Sequence, residues 1–238
     1  MSGKGKGYQL CGRYAIFAIM GKNILVLAAT SMEIKPFLRA LNDGNSFSAN
    51  NDIDVLIGGI GLTATAYHIS KQLAIKKYDF VIQAGVAGSF DTTISLGDVV
   101  ALKQDTIADQ SVVEMKKLKT LFDLKLVPHD SAPFKNGWLI NPHKQIQKKT
   151  GLKIVNGVSV NQISTSKQMI QFYRDTFSPV TESMEGAALH YVCLMEKIPF
   201  IQLRSISNYI GERNKKKWDM MKSIINLNDT LIKTINNY

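Results

Sequence analysis

Two carboxylates and one carboxamide are placed where side-chain chemistry can happen. Glu33 comes three residues after the apolar run Asn23–Thr30, and Glu185 stands in Glu182-Ser183-Met184-Glu185-Gly186 beside the small residues Gly186, Ala187 and Ala188. An acid at the start of a helix commonly does no more than complement the helix dipole. Beside small residues under a pocket, however, a carboxylate can accept both hydrogen bonds of a vicinal diol such as that of a ribose. Asn208 closes the stretch Ile198–Asn208, where an almost wholly apolar run gives way to Arg204-Ser205-Ile206-Ser207-Asn208. Polar groups delivered at the end of a buried strand are where an α/β protein usually keeps its chemistry. A carboxamide neither gains nor loses a proton at neutral pH, so a ligand of Asn208 must supply one donor and one acceptor. Arg204, within the apolar part, is expected to form a structural ion pair and not to clamp a ligand.

Two glycine-rich stretches follow apolar runs: Gly58-Gly59-Ile60-Gly61 and Gly85-Val86-Ala87-Gly88. Neither completes GxGxxG or carries the Lys-Ser/Thr of a phosphate-binding loop, and no GxSxG elbow is present. The first reads as a tight turn that lets a ligand approach the backbone. The second is either a plain strand-to-loop turn or a contact to a sugar. His68, His129, His143 and His190 are scattered, with no ligand spacing for a metal, so no metal site is expected.

The elements that must position these residues follow from the apolar pattern. Asn23–Thr30 is long enough for a buried strand, and Ser31 is placed to cap a helix running through Glu33, Phe37, Leu38 and Leu41. Ile53–Gly59 and Asp79–Ala84 repeat the theme, each ending in small residues, and Thr63–Ala74 has helical periodicity between them. Further strands are expected over Asp98–Thr106, Leu152–Ile163 and the run after Pro199. Helices are expected over 165–177, 183–197 and Trp218–Asn236, with a long irregular connection from Asp109 to Trp138. The fold class is therefore α/β, a single domain with a parallel or mixed sheet covered by helices.

Composition sets the outer bounds. A chain of 238 residues with 45% hydrophobic and 20% charged residues can bury one sizeable core. No apolar run reaches the roughly 18 to 20 residues that cross a bilayer. Cys11 and Cys193 alone imply a reduced, cytoplasmic setting. The formal charge of +10 permits an anionic partner. The basic residues come in separate small groups, such as Lys116-Lys117-Lys119 and Lys215–Lys217, without interleaved aromatics, which argues for solvated faces and against nucleic acid. Residues 1–20 are expected to be a disordered extension ahead of a domain spanning 21–238, with Met20 as a plausible natural start.

Taken together, AATSMEI at 28–34, GGIG at 58–61, QAGVAG at 83–88, ESMEGAA at 182–188 and RSISN at 204–208 resemble the nucleoside phosphorylase/nucleosidase superfamily in order and spacing. Within it, the stretch from Ser183 to Trp218 is most similar to the futalosine hydrolases of menaquinone biosynthesis. The resemblance implies a twisted mixed sheet flanked by helices, a homodimer, cleavage of a purine N-ribosidic bond, and no cofactor. It implies that Glu33 orients and deprotonates the attacking water, that Glu185 holds the ribose hydroxyls, that Met184 packs beneath the sugar and that Asn208 faces the base. It also places Ile60 and Val86 on the ribose side and Gln162 and Ile163 along the base. Trp218 either closes the pocket or belongs to the core.

Departures from the methylthioadenosine nucleosidase pattern are informative, since that subfamily has Asp, an aromatic and Ser where this chain has Asn208, Gln162 and Val86. An Asn offers its NH₂ to a 6-oxo group and its carbonyl to the proton that settles on N7, which favours hypoxanthine or guanine as leaving group. The superfamily's phosphorylases hold phosphate with arginines where this chain has Ala28–Met32 and Gln83, so hydrolysis is expected. Arg213 is the candidate partner for the carboxylate of the futalosine arm. A methylthioadenosine-type nucleosidase, a 6-oxopurine phosphorylase and a silent nucleoside-binding protein are the alternatives.

Overall fold

The computed structural model describes residues 21–44 and 51–238. The expectations for residues 1–20, Cys11 and Met20 included, lie outside the described residues. The chain opens with β1 (Asn23–Ala28), α1 (Lys35–Asn42), β2 (Asp52–Ile57), α2 (Leu62–Ile75) and β3 (Phe80–Ser89). β1 pairs in parallel with both β2 and β3, as two successive strand–helix–strand units require. β4 (Val99–Asp105) then leads to the hairpin β5 (Ser111–Glu114) and β6 (Lys117–Thr120), short β7 (Leu139–Ile140) and α3 (Lys144–Lys149). β8 (Lys153–Ser159), α4 (Lys167–Phe177), β9 (Thr181–Ser183), α5 (Gly186–Met195), β10 (Phe200–Tyr209) and α6 (Met220–Asn236) complete it.

Two expectations are corrected. The connection from Asp109 to Trp138 is not wholly irregular, because it carries the two-stranded sheet β5–β6. The GVAG stretch is no turn: β3 continues through it to Ser89. The strand after Pro199 likewise runs through RSISN to Tyr209, so Asn208 stands at the end of β10, one residue before its last. Both strands are longer than their apolar runs because small polar residues stay in the ladder wherever neighbouring strands pair them.

Pairing order explains why these two strands are long. The main sheet runs β10-β4-β8-β9-β3-β1-β2, and β10 also pairs with β3, so five strands close a ring from β3 through β10, β4, β8 and β9 back to β3. β3 pairs with β1 as far as Gln83 and with β9 only at Gly88 and Ser89. Its two halves therefore serve different neighbours, and the opening between β1 and β9 leaves a crevice at the carboxyl ends of β1 and β3. A crevice where neighbouring strands diverge is the usual ligand position in α/β sheets.

The core follows the strand period of two. In β1, Ile24, Val26 and Ala28 pack with Phe37 of α1 and Leu227, Leu231 and Ile235 of α6. Leu25 and Leu27 face the other way, onto Ile69 of α2 and Leu189, Val192 and Cys193 of α5. All five apolar residues Ile24–Ala28 are at most 1% exposed, which explains the unbroken apolar run. Each large side chain so buried stabilises the sheet by about 1.5–3 kcal/mol. No described helix is long and apolar enough to cross a membrane.

Candidate active site

A cavity of about 320 Å³ sits in the crevice and brings together Glu33, Ile60, Val86, Ile163, Met184, Glu185, Asn208, Arg213 and Trp218. Gln162 is the one predicted site residue that stays outside. It lines a separate cleft with Asp109, Ser111 and Tyr173. The cause is local: Asp109 Oδ2 accepts from the peptide N–H groups of Asn161 at 2.5 Å and Gln162 at 3.3 Å, while Glu182 Oε1 accepts from Ser164 N–H at 3.0 Å. Gripped from both sides, the segment shows Ile163 to the cavity and leaves Gln162 outside.

Glu33 is not in the first turn of α1, which begins at Lys35 with Ile34 as its cap, and Ser31 caps nothing there. It lies in the turn between β1 and α1. Its Oε2 accepts from Thr30 N–H at 3.0 Å and Thr30 Oγ at 3.2 Å, and its Oε1 from Val86 N–H at 3.1 Å. Oε1 keeps capacity for a further partner. The turn is anchored from α6: Asn228 Nδ2 donates to Glu33 O at 2.8 Å and its Oδ1 accepts from Phe37 N–H at 3.0 Å. Sequence reasoning missed Asn228, whose signal was a polar residue on the buried stripe of an amphipathic helix.

Glu185 stands at the N-cap position of α5 without a side-chain bond to the helix and is 5% exposed. Gly61 N–H donates to its Oε1 at 3.3 Å, and Arg204 Nη2 lies 3.5 Å from its Oε2. Burial raises the Glu185 carboxyl above its ordinary value, Arg204 pulls it back down, and the nearby Glu33 pushes it up again. Arg204 is 1% exposed and also donates to Gln83 Oε1 at 3.1 Å, so it forms the expected buried ion pair. Gly85 makes room for it: a Cβ there would collide with Arg204 Nη1 and stand 3.1 Å from Glu33 Oε1. One buried guanidinium thus lies beneath two carboxylates.

Asn208 is half-buried. Its Oδ1 accepts from Ser207 Oγ at 2.9 Å and its Nδ2 donates to Tyr209 O at 3.2 Å, which leaves one N–H and one lone pair for a ligand. The Trp218 indole N–H donates to Glu212 O at 3.1 Å, and the Arg213 guanidinium lies 5.6 Å from the Trp218 ring centre. Trp218 therefore lines the cavity and is not a core residue. Arg213 is exposed and is the only cation among the described lining residues. Met32 and Ile60 stand at the rim, 66% and 62% exposed. Glu182 also lines the cavity, and burial raises its carboxyl above the ordinary value.

Chemically, the arrangement offers a carboxylate with a free lone pair, a second carboxylate braced by a buried cation, and a carboxamide with one donor and one acceptor to spare. Among the described residues no cluster of His, Cys, Asp or Glu could hold a metal ion.

The sequence matches the family model described as "Phosphorylase superfamily" over residues 23–235. A 5'-methylthioadenosine/S-adenosylhomocysteine nucleosidase of Glaesserella parasuis is 28% identical over 174 residues, 71% of this chain and 74% of that protein. The corresponding nucleosidase of Staphylococcus epidermidis is 26% identical over 198 residues, 77% of this chain and 85% of that protein. Among solved structures, the native futalosine hydrolase of Helicobacter pylori has a TM-score of 0.74 at 22% identity, covering 92% of this chain and 99% of that chain. A nucleosidase of the same organism with 5'-methylthioadenosine in its active site has a TM-score of 0.76 at 22% identity, covering 92% and 100%. These two likenesses show the fold.

Proposed function

The chain belongs to the phosphorylase superfamily, and from that premise we propose that it is a futalosine hydrolase, splitting the N-ribosidic bond with water and releasing hypoxanthine. The observation that carries this is the charge of the pocket. Glu33 and Glu185 face it, Arg204 is buried beneath them, and the only lining cation among the described residues is the exposed Arg213. Such a site repels an attacking phosphate and favours water.

In the proposed reaction Glu33 Oε1 takes a proton from water, whose oxygen bonds to C1′ as the C1′–N9 bond breaks. The bonding pair leaves with the purine, and N7 takes up a proton from solvent. Asn208 Oδ1 accepts that N7–H, and Asn208 Nδ2 donates to O6. Glu185 accepts from the ribose hydroxyls, holding C1′ over the water while positive charge builds on the ring. Met184, Ile60 and Val86 pack the sugar, and Ile163 and Trp218 flank the base and the pocket entrance. The apolar exposure of Ile60 and Tyr67, which with Met184 line a cleft adjoining the cavity, supports a homodimer.

A second reading, a methylthioadenosine/S-adenosylhomocysteine nucleosidase, is favoured by the names of the curated relatives. Against it stands Asn208, whose amide, unlike a protonated acid, cannot give a proton to the N7 of a departing adenine. A substrate panel of futalosine, inosine and methylthioadenosine separates the two: a kcat/KM for methylthioadenosine at or above that for futalosine contradicts our assignment. Glu33→Gln is expected to lower kcat about 10²–10⁴-fold, and near wild-type turnover would remove the water-activating role.

A further inference from the structure

Behind Glu185, on the side away from the cavity, lie Asp105, His190, Gln202 and Arg204, each at most 1% exposed. Gln202 sits between Asp105 and His190. As oriented, neither amide atom of Gln202, nor Asp105 Oδ2, nor His190 Nε2, nor Arg204 Nε makes a well-formed hydrogen bond. Five orphaned polar atoms in one dry cluster are costly unless a proton arrangement satisfies most of them. Gly186 opens the space, because a Cβ there would collide with both Gln202 Nε2 and Asp105 Oδ2.

The pairing can be solved from one end. His190 Nδ1 lies 2.8 Å from Leu139 O, a carbonyl that can only accept, so Nδ1 carries a proton. Burial pushes the imidazole down to about 4, so it is neutral and its Nε2 is an acceptor. Gln202 must therefore turn its NH₂ to His190 and its carbonyl to Asp105. The two ends of an amide have nearly the same shape, and hydrogen-bond partners decide between them. Facing a carbonyl, Asp105 must donate.

We infer that Asp105 is a neutral carboxylic acid in the active protein and acts as a positioning residue for Glu185, by leaving the charge of Arg204 to the carboxylates that face the cavity. The inference rests on the nucleosidase assignment only in what it says of substrate binding. The hydrogen-bonding neighbours of Asp105 would serve an ionised carboxylate as well, so burial and the balance of surrounding charge decide. Ser159 Oγ donates to Asp105 Oδ1 at 3.0 Å, Ser183 Oγ lies 3.5 Å from Ser159 Oγ, and the nearest charges are Arg204 and, beyond it, Glu185 and Glu33. Three ionised acids around one cation would leave uncompensated charge in the interior, and the deepest acid is the one to protonate. Burial outweighs Ser159, Arg204, Gln202 and Thr106, which all pull the other way, and holds the Asp105 carboxyl up at about 7.

Ionisation of Asp105 draws Arg204 away from Glu185 and weakens the hold on the ribose. The expected result is a rise in KM of about tenfold between pH 6 and pH 8, as the protonated fraction falls. Asp105→Asn keeps a donor toward Gln202 and cannot ionise, so KM should be flat across that range while matching wild type at pH 6. A KM that rises in parallel in both proteins overturns the coupling. The proton itself is tested without substrate. A carboxyl with its folded value raised from 3.8 to about 7 makes the folded state lose stability as pH climbs from about 4 to about 7. The difference in Tm between Asp105→Asn and wild type should then grow in favour of the variant across that window and stop growing above it. A constant difference overturns the neutral acid, whatever the substrate proves to be.

Discussion

Adding one methyl group at Gly85 tests the shared-cation arrangement most sharply. In Gly85→Ala the new Cβ collides with Arg204 Nη1, comes within 3.4 Å of Arg204 Cζ and stands 3.1 Å from Glu33 Oε1. The guanidinium has nowhere to go, being 1% exposed and held through Nη2 by Gln83 at 3.1 Å and Glu185 at 3.5 Å. Overpacking of this kind costs about 1–3 kcal/mol, and for a chain of this size each kcal/mol lowers Tm by about 2–4 °C, so the melting point should fall about 2–12 °C. Both carboxylates shift together, and a displacement near 1 Å at a reacting group lowers the rate about 10²-fold. Calorimetry and initial rates of base release measure the two effects. On an Arg204→Lys background the same methyl group should cost less, because the colliding nitrogen is gone. A Gly85→Ala protein with unchanged Tm and kcat/KM within twofold of wild type would refute the arrangement.

Asn208→Asp should shift the kcat/KM ratio toward 6-aminopurine nucleosides by about 10- to 100-fold, the worth of one mispaired buried polar group; an unchanged ratio removes the base-reading role. Arg213→Ala should raise KM about tenfold for a nucleoside with an anionic arm and leave inosine unaffected, with equal effects on both counting against the arm contact. Tyr238 stacks on Phe80 at 3.9 Å, carries Lys22 Nζ 3.8 Å from its ring centre and donates to Asp79 O at 3.2 Å. Tyr238→Ala should therefore cost about 2 kcal/mol in urea unfolding, with kcat and KM unchanged, and a stability loss within error of zero would show that this closure of the chain end carries no weight.

The fold was legible where one face or both faces of an element are buried. The run Ile24–Ala28 is apolar throughout because helices cover both sides of β1, and Leu227, Leu231 and Ile235 show the buried stripe of α6, while Met221 and Ile225, at the same helical spacing, are 74% and 48% exposed. What escaped was set by long-range pairing. Nothing local in GVAG distinguishes a turn from a strand held by β9 and β10, and the ring of strands depends on contacts far apart in sequence. Glu33, Glu185 and Asn208 were legible as types in suggestive places, and the cavity gathers them. Gln162 was misplaced because a resemblance in order and spacing cannot see the grip of Asp109 and Glu182 on the segment. The polar cluster behind Glu185 was invisible for a similar reason, since Asp105, His190 and Gln202 come from three separate elements.

The proposed chemistry is tested most directly by following futalosine in ¹⁸O-labelled water, with and without phosphate. Release of free hypoxanthine at the same rate in both, with the label in the 1-hydroxyl of the sugar product, is the predicted result. Strict dependence on phosphate, with a sugar 1-phosphate and no label, would contradict it.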